Sequence, residues 1–360
     1  TCALPIWLLS MGDPKKLGSI GGKAMALYMM TTAIAICIGL FLGVLFQPGI
    51  GVELAAVSTR EIQPAADVVE RFLGIIPTNP VAALAEGDVL AIIVFALLFG
   101  TGIVMAGEKG RAVGDAISAA AEAMLKVAHI VMELAPYGVF ALVAWVAGTL
   151  GTETIFKLLT LVVVVYIACI LHAGLVYGGL IKVLLKLPAV RFFRGIIDAQ
   201  AVAYSTASSS ATLPVTITCV EENLGVKQSV ASSVLPLGAT INMDGTALYL
   251  GVVAVFSAQA FGIDLVAMDY VMIAVTVTLA SIGTAGVPSA SLFLLSTILP
   301  VIGISVEQTA LIVGLILPID RILDMARTAV NVSGDAAVAV VVAKLEGELD
   351  EDKFREVAAV

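Results

Sequence analysis

The stretch Asp320–Asp335, DRILDMARTAVNVSGD, contains three aspartates, two arginines and an asparagine within a chain that is otherwise mostly apolar. At about 100° per residue, several of its polar side chains fall within an arc of roughly 100° on one helix face. These are Asp320, Asp324, Arg327, Thr328, Asn331 and Asp335. A charged side chain at bilayer depth costs roughly 2.5–3.5 kcal/mol on insertion scales, so such residues are seldom kept for structure alone. The stretch therefore predicts a membrane helix whose polar face binds a substrate and an ion.

The composition is typical of a polytopic membrane protein. Hydrophobic residues make up 60% of the 360, charged residues 13%, and the mean hydropathy is +1.07. Soluble domains average about 45–50% apolar and about 25% charged residues. Apolar runs such as 24–46 and 158–185 are long enough to cross a bilayer as helices, and they lack the period-two alternation of barrel strands. We therefore predict an all-α protein in a lipid bilayer, and the net charge of −9 gives no sign of a nucleic-acid partner.

Lysine and arginine residues predict the orientation in the bilayer, because cytoplasmic loops are enriched in them. Four clusters are expected on the cytoplasmic side: Lys15, Lys16 and Lys23; Lys109 and Arg111; Lys182, Lys186, Arg191 and Arg194; and Lys344, Lys353 and Arg355. The first ten residues, TCALPIWLLS, have the character of a hydrophobic segment without an initiator methionine or the basic start of a signal peptide. We therefore expect a chain that is truncated at its N-terminus.

Neither the cysteines nor the histidines predict a transition-metal site. The four cysteines are scattered without a paired spacing, so they indicate neither a disulfide framework nor a metal site. His129 and His172 lie in separate helical runs, and we interpret them as packing or interface residues.

Two hydrophobic segments in the second half of the chain are interrupted by small and hydroxylated residues, SSSATLPV (Ser208–Val215) and GTAGVPSAS (Gly283–Ser291). The first is followed by NMDGT (Asn242–Thr246) and the second by the charged stretch. Broken helices at bilayer depth survive only when they are buried in protein or line a polar cavity. Paired interruptions in corresponding halves are typical of an alternating-access binding site. Helix N-termini favour anions and unwound carbonyls favour cations, which suits an anionic substrate that moves with a cation.

Two other interpretations of these segments are possible on chemical grounds. Small residues in membrane helices often serve only for close packing, and for either segment alone this stays open. A serine nucleophile at Ser208–Ser210 is disfavoured, because no histidine is near in sequence and no GxSxG elbow is present. The chain is therefore not expected to be an enzyme.

The motifs SSSATLPV, NMDGTALY, SIGTAGVPSAS and DMARTAVNVSGD, in this order, resemble the dicarboxylate/amino acid:cation symporters, which include glutamate and aspartate transporters. The resemblance extends from about Pro14 through Glu346. It implies a homotrimer in which each protomer has a static scaffold and a mobile transport domain with two re-entrant hairpins and inverted repeats. The transport domain carries the substrate across like an elevator. Without a long extracellular insertion carrying glycosylation sequons, we expect a bacterial or archaeal inner membrane.

The resemblance also implies a division of the chain. The segments are 1–19, the remnant of an early scaffold helix; 20–47, a transport-domain helix; 48–150, scaffold helices and an extracellular loop; 151–187, a transport-domain helix; 188–224, the first re-entrant hairpin; 225–262, the broken helix with NMDGT; 263–303, the second hairpin and gate; 304–346, the charged helix; and 347–360, a cytoplasmic tail.

For the substrate, the resemblance implies contacts from both hairpin tips, the broken helix and the charged helix. They are Ser208, Ser209, Ser210, Thr246, Val287, Asp324, Arg327, Thr328 and Asn331. Arg327 would pair with a side-chain carboxylate, Asp324 with an α-amino group and Asn331 with the α-carboxylate, and a guanidinium fork suits the first task. Neutral exchangers resembling the family lack the arginine, and C4-dicarboxylate carriers lack the aspartate. The chain has both, which favours L-glutamate or L-aspartate, with succinate or malate as the alternative.

For the coupling cation, the resemblance implies three sites. The first has Asn242, Asn331, Asp335 and the carbonyl of Gly238; the second has Tyr28, Thr31, Thr32, Asn242 and Asp244; the third has backbone carbonyls near Thr240, Ser281, Ile282 and Thr284. Oxygen ligands favour a hard cation, so Na⁺ is preferred as the coupling ion and H⁺ stays open. An anion channel and a non-transporting receptor are the alternatives from other functional classes.

The chain departs from the family at one point. Relatives often carry an additional arginine beside the binding-site aspartate, at positions that here hold Ala207 and Met325. Arg321 lies about one helical turn before Asp324, and we hypothesise that it substitutes for that arginine.

Overall fold

The computed structural model describes residues 14–52, 78–86, 89–134, 151–282, 284 and 286–356, together with the isolated positions 137, 140, 141, 144 and 148. Within this part of the chain the regular structure is helical, and the only extended pairing there is an isolated bridge between Val226 and Leu349. The prediction of an all-α fold is confirmed.

The α-helices are numbered here in chain order. They are α1 (Pro14–Phe46), α2 (Pro80–Glu86), α3 (Val89–Met105), α4 (Glu108–Glu133), α5 (Gly151–Leu171), α6 (Ala189–Gly195), α7 (Ile197–Thr206), α8 (Ser209–Thr218), α9 (Gln228–Ile241), α10 (Asp244–Phe261), α11 (Ala267–Ile282), α12 (Ala290–Ile298), α13 (Val306–Glu346) and α14 (Glu351–Arg355). Wider π-helical turns occur at His172–Tyr177, Leu180–Leu184 and Cys219–Asn223, and a 3₁₀ turn at Leu299–Ile302.

Three helical stretches are long and apolar enough to cross a membrane: Ser19–Phe46, Lys157–Leu184 and Gln228–Phe261. The most apolar window of Gln228–Phe261 is 94% buried, against 44% and 39% for the other two. This stretch is therefore the centre of the bundle, and its two halves, α9 and α10, pack on α1 and α13.

The central stretch is broken where the sequence reads Asn-Met. Asn242 and Met243 have φ/ψ of −89°/77° and −104°/50°, so they leave the helical region between α9 and α10. The Oδ1 atom of Asn331 accepts a 2.7 Å hydrogen bond from the amide of Gly245 and so caps the new helix N-terminus at α10. The break thus brings Asn242 and Asp244 beside the polar face of α13.

Both interrupted sequences form pairs of helices joined at a sharp tip. Between α7 and α8, Ala207 adopts a left-handed conformation with φ of 54°, and Ser208 caps α8 by accepting from the amide of Ala211 at 3.2 Å. Between α11 and α12, Ser289 is left-handed with φ of 61°. We call these the first tip (Ala207–Ser210) and the second tip (Gly286–Ser289).

The charged stretch lies in α13, the longest helix of the described chain at 41 residues. It begins with a capping box in which Ser305 and Gln308 exchange side-chain and backbone hydrogen bonds. It packs against α1, α5, α7, α9 and α10. The six residues of the predicted polar stripe are all buried, whereas Arg321, outside the stripe, is exposed.

The residues after α13 dock on one end of the bundle. The Phe354 side chain in α14 is fully buried, and the Nε of Arg191 donates to the carbonyl of Glu356 at 2.7 Å. Lys23 pairs with Glu346 at 2.7 Å, and Lys344 pairs with Glu351. Basic residues from three of the four predicted cytoplasmic clusters therefore share this end.

Candidate functional site

The two tips meet in the middle of the bundle. Ser208 Oγ donates to the carbonyl of Gly286 at 2.6 Å, and the amide of Ser210 donates to the same carbonyl at 3.2 Å. A Cβ on Gly286 would lie 2.6 Å from Ser210 Oγ and 3.0 Å from the carbonyl oxygen of Ala239. Glycine at this position is therefore required for the close approach of the tips.

A narrow cavity lies beneath the two tips. Its walls are Ala207, Ser209, Met243, Thr246, Thr284, Gly286, Val287, Ala290, Ser291, Asp324, Thr328 and Asn331. Six of the nine predicted substrate residues are among them. Ser208 and Ser210 join the tips above the cavity instead, and Arg327 lies behind Asp324.

Asp324 connects the second tip to α13. Its Oδ2 accepts from the amide of Ser289 at 2.7 Å, and its Oδ1 accepts from Arg327 Nη2 at 2.8 Å. One carboxylate therefore holds both the second tip and the buried guanidinium. A ligand ammonium that binds Asp324 would compete for these same two oxygens.

Arg327 is fully buried in a small charged cluster. Its Nη2 also donates to Asp320 Oδ1 at 3.0 Å, and its Cζ lies 4.0 Å from the centre of the Tyr249 ring. Its Nε and Nη1 find no hydrogen-bond partner among the described residues. Because a buried donor without a partner is costly, these two groups are a ready binding point for a carboxylate.

Oxygen-rich side chains surround the break between α9 and α10. Asn242 Nδ2 donates to Asp335 Oδ1 at 2.9 Å, and Thr31 Oγ1 lies 3.4 Å from Asn242 Oδ1. The amide of Asn242 donates to the carbonyl of Gly238 at 2.8 Å, and a Cβ on Gly238 would lie 2.8 Å from Cγ of Asp335. Gly238, Asn242 and Asp335 of the first predicted cation site are thus brought together, while Asn331 turns its Oδ1 to α10 and lines the cavity.

Asp244 is the centre of the second predicted cation site. Its Oδ1 accepts from Thr32 Oγ1 at 2.6 Å, and its Oδ2 accepts from the hydroxyl of Tyr177 at 2.8 Å. His172 Nε2 lies 3.3 Å from the same Oδ2. All five members of the predicted set are buried.

The third predicted cation site lies where α11 ends against α9. The carbonyl of Ser281 accepts from the amide of Thr284 at 3.2 Å, and Thr284 reaches the cavity wall. The hydroxyl of Thr240 donates to the carbonyl of Leu237 at 3.0 Å. The side chain of Ile282 and residues 283 and 285 lie outside the described part of the chain.

Comparison with known proteins identifies the chain. It matches the sodium:dicarboxylate symporter family over residues 5–345. The chain belongs to the sodium:dicarboxylate symporter family. The prediction from the four motifs is confirmed, and the chain is a multi-pass membrane transporter and not an enzyme.

Curated relatives within this family are similar along most of their length. A proton/sodium-glutamate symport protein of Geobacillus stearothermophilus is 38% identical over 99% of this chain and 86% of its own length. A proton/glutamate-aspartate symporter of Escherichia coli (strain K12) is 38% identical over 97% of this chain and 82% of its own length. A C4-dicarboxylate transport protein of Bacillus subtilis (strain 168) is 33% identical over 96% and 83%.

One sequence-based interpretation needs correction in this symporter. His172 is not simply a packing residue, because its Nε2 reaches Asp244 in the candidate cation site. The Nη2 and Nη1 of Arg321 donate to the carbonyls of Ser205 and Thr206 at 2.8 and 3.3 Å, directly before Ala207 in the cavity wall. That Arg321 substitutes for the additional arginine of relatives stays a prediction.

Sequence reasoning also missed Tyr177. It lies five residues after His172, and on a regular α-helix these two positions are about 140° apart, so helical spacing gives no reason to combine them. The turn there is π-helical, with backbone hydrogen bonds between residues five apart, and both side chains contact Asp244.

The symporter buries far more negative than positive charge. Among the described residues, the buried aspartate, arginine and histidine side chains are Asp244, Asp320, Asp324, Asp335, Arg327 and His172. Four carboxylates face one guanidinium, which leaves three uncompensated negative charges when all are ionised and His172 is neutral. Around Asp244 and Asp335 the partners are side chains of Asn242, Thr32, Tyr177 and His172, and this thiolate-free set, rich in oxygen, suits a hard cation.

Proposed function

We propose that this symporter imports an acidic amino acid, L-glutamate or L-aspartate, together with Na⁺. The buried charge balance carries this proposal. An uncompensated carboxylate in a dry interior is very unfavourable, and an acidic substrate brings one further net negative charge. Cations must therefore enter with the substrate if the loaded protein is to remain closed and cross the bilayer.

The substrate is assigned from the chemistry of the cavity. Asp324 would hold the α-amino group. Arg327 lies behind Asp324 and outside the cavity wall, so its unused donors would turn toward the cavity to hold the side-chain carboxylate in a bidentate contact. Asn331, with the backbone at Ser209, would hold the α-carboxylate. Thr246, Thr328 and Val287 supply further contacts from the cavity wall, while Ser208 and Ser210 hold the first tip in place.

The coupling ion is Na⁺ in this proposal, with H⁺ as the alternative. The name of the Geobacillus relative mentions both proton and sodium, whereas the name of the Escherichia coli relative mentions proton alone. The ligands proposed for Na⁺ are the three oxygen-rich sets at Asp335, at Asp244 and at the end of α11. Hydroxyl and amide groups contact the carboxylates of Asp244 and Asp335. Because these groups carry no charge, the negative charge of each carboxylate is available to a metal cation.

The proposed mechanism is alternating access by an elevator. The first and second tips are re-entrant hairpin tips, and the second acts as the gate. Its opening would release the Ser289 amide from Asp324 and the Gly286 carbonyl from the first tip. Cation binding would organise the broken helix and the second tip, which raises substrate affinity through a coupling free energy. We further propose a homotrimer in a bacterial or archaeal inner membrane.

Reconstitution in liposomes tests the proposal. Uptake of radiolabelled L-aspartate, L-glutamate and succinate is measured under an inward Na⁺ gradient, an inward H⁺ gradient, and neither. Saturable accumulation of an acidic amino acid against its own gradient, driven by Na⁺, is expected. A preference for succinate would assign a C4-dicarboxylate carrier, accumulation only with H⁺ would assign proton coupling, and purely downhill flux would indicate a channel.

A further inference from the structure

The helix that begins with α5 changes to a π-helical turn at His172–Tyr177. At its end the amide of Gly178 donates to the carbonyl of Ala173, the five-residue spacing of a π-helix. Such turns are rare, and they occur frequently at functional sites. This turn is buried at both of its polar ends, His172 and Tyr177, which the proposed transport mechanism leaves without a role.

The π-helical turn brings both aromatic side chains into contact with the same atom, Oδ2 of Asp244. Residues five apart in an α-helix point about 140° away from each other, whereas here both contact Asp244 Oδ2, Tyr177 at 2.8 Å and His172 at 3.3 Å. Their rings pack edge to face with centroids 4.9 Å apart. A regular α-helix would turn one of the two side chains away from Asp244.

The rest of the surroundings fix the hydroxyl of Tyr177 in this position. Thr32 occupies the other oxygen of Asp244, so donors from two different helices hold both sides of the carboxylate. Gly334 on α13 leaves space for the ring, since a Cβ there would lie 2.6 Å from the hydroxyl of Tyr177 and 2.6 Å from Asn242 Nδ2. Asp244 and Tyr177 are both inaccessible to solvent.

We propose that Tyr177 is a positioning residue for the coupling cation: presented by the π-helical turn, its hydroxyl holds the carboxylate of Asp244 in the orientation that binds Na⁺. The inference rests on the proposed Na⁺ coupling and adds to it a residue that acts through Asp244. Partners of this kind orient a ligand before the ion arrives, and their loss typically lowers metal affinity about 10- to 100-fold.

The test is the substitution Tyr177→Phe, which removes one hydroxyl and keeps the ring. Purified protein in detergent is titrated with NaCl while its thermal unfolding is followed, and uptake in liposomes is measured against Na⁺ concentration. We expect the Na⁺ concentration for half-maximal stabilisation and for half-maximal uptake to rise roughly tenfold. Uptake at saturating Na⁺ should stay close to the wild-type value, because the substrate cavity is not altered.

The matched control is Tyr166→Phe, the same change in the same helix. The hydroxyl of Tyr166 contacts the carbonyl of Ile322 at 2.9 Å and the hydroxyl of Tyr204 at 3.1 Å, away from Asp244. Its Na⁺ dependence should match the wild type. The unfolding temperature without Na⁺ reports whether each variant is folded.

The outcomes separate this inference from the function on which it rests. A wild-type protein that responds to Na⁺ and a Tyr177→Phe variant with the same Na⁺ dependence would overturn the role of Tyr177 alone. An equal shift in both tyrosine variants would also overturn it, since the effect would not be specific to Asp244. A wild-type protein without any Na⁺ response would contradict the coupling ion and this inference together.

Discussion

The two pairs of buried carboxylates have different kinds of partner. On the substrate side, Asp320 and Asp324 share the guanidinium of Arg327, at 3.0 and 2.8 Å. On the cation side, Asp244 and Asp335 are held by the side chains of Thr32, Tyr177, His172 and Asn242, and neither pairs with a lysine or arginine among the described residues.

This difference indicates that the two sides have different functions in the transporter. The substrate side has one fixed positive charge, that of Arg327, shared between two carboxylates. Contacts of Asp324 or Arg327 can therefore be exchanged for those of a ligand. The cation side has oxygen atoms in place and no fixed positive charge. We therefore expect substitutions on the two sides to have different effects. Those on the substrate side should change which solute is transported, and those on the cation side should change the dependence on the coupling ion.

The largest expected effect is that of Arg327→Ala. It removes the only buried guanidinium of the described chain and leaves Asp320 and Asp324 facing each other. Breaking a buried pair costs about 3–5 kcal/mol, so uptake of L-aspartate should fall at least roughly a hundredfold. Arg327→Lys keeps the charge without the fork and should retain intermediate activity. Uptake in liposomes at saturating Na⁺ measures both, and near-normal uptake by Arg327→Ala would contradict the assignment of this side to the substrate.

The next effect belongs to the cation side, in the pair Asp244→Asn and Asp320→Asn. Both replace a buried carboxylate by an amide of the same shape. Asp244→Asn should raise the half-saturating Na⁺ concentration at least roughly tenfold, because a proposed ligand is lost. Asp320→Asn should leave this concentration close to the wild-type value. The measurement is the Na⁺ dependence of uptake and of thermal stability; equal shifts in the two variants would remove the distinction between the sides.

A smaller and more selective effect is expected for Asp324→Asn. The change removes the proposed partner of the α-amino group, and a hydrogen bond to a charged group is worth about 1.5–3 kcal/mol. The apparent affinity for L-aspartate should therefore fall roughly tenfold or more, while the affinity for succinate, which lacks an amino group, should change little. Competition between the two solutes in the same liposomes measures the ratio, and a parallel loss for both would show that Asp324 acts only by holding Ser289.

Much of the candidate site could be predicted from the sequence, because its residues lie either on one face of a regular helix or in segments whose small residues mark a helix break. The polar stripe of α13 follows the α-helical period, and all six of its residues are buried as expected. The serine, glycine and proline content of the two interrupted segments predicted tips, and the structure brings these tips into contact. The resemblance to a family supplied the residue roles, which helical spacing alone could not.

What the sequence could not predict depends on a local change of helix type and on tertiary contacts. His172 and Tyr177 are brought to the same oxygen of Asp244 by a π-helical turn that changes the spacing within an apolar run, and no feature of that run marks the change. Arg321 is near Asp324 in sequence, but its position on the helix is outside the stripe. The hydrogen bonds of its guanidinium to Ser205 and Thr206 depend on where α7 ends, which is a tertiary feature.

The smallest expected effect concerns Arg321, which connects the substrate side to the first tip. Its guanidinium caps the last carbonyls of α7, directly before the left-handed Ala207 that sets the position of Ser209. A cationic cap at a helix C-terminus is worth about 0.3–1 kcal/mol, so Arg321→Ala should raise the KM for L-aspartate only about two- to fivefold. Arg321→Lys, which can still donate to one carbonyl, should restore most of the affinity, and the Na⁺ dependence should not change in either variant. A loss as large as that of Arg327→Ala would mean that Arg321 reaches the substrate after all, and an unchanged KM would mean that the first tip holds its position without this cap.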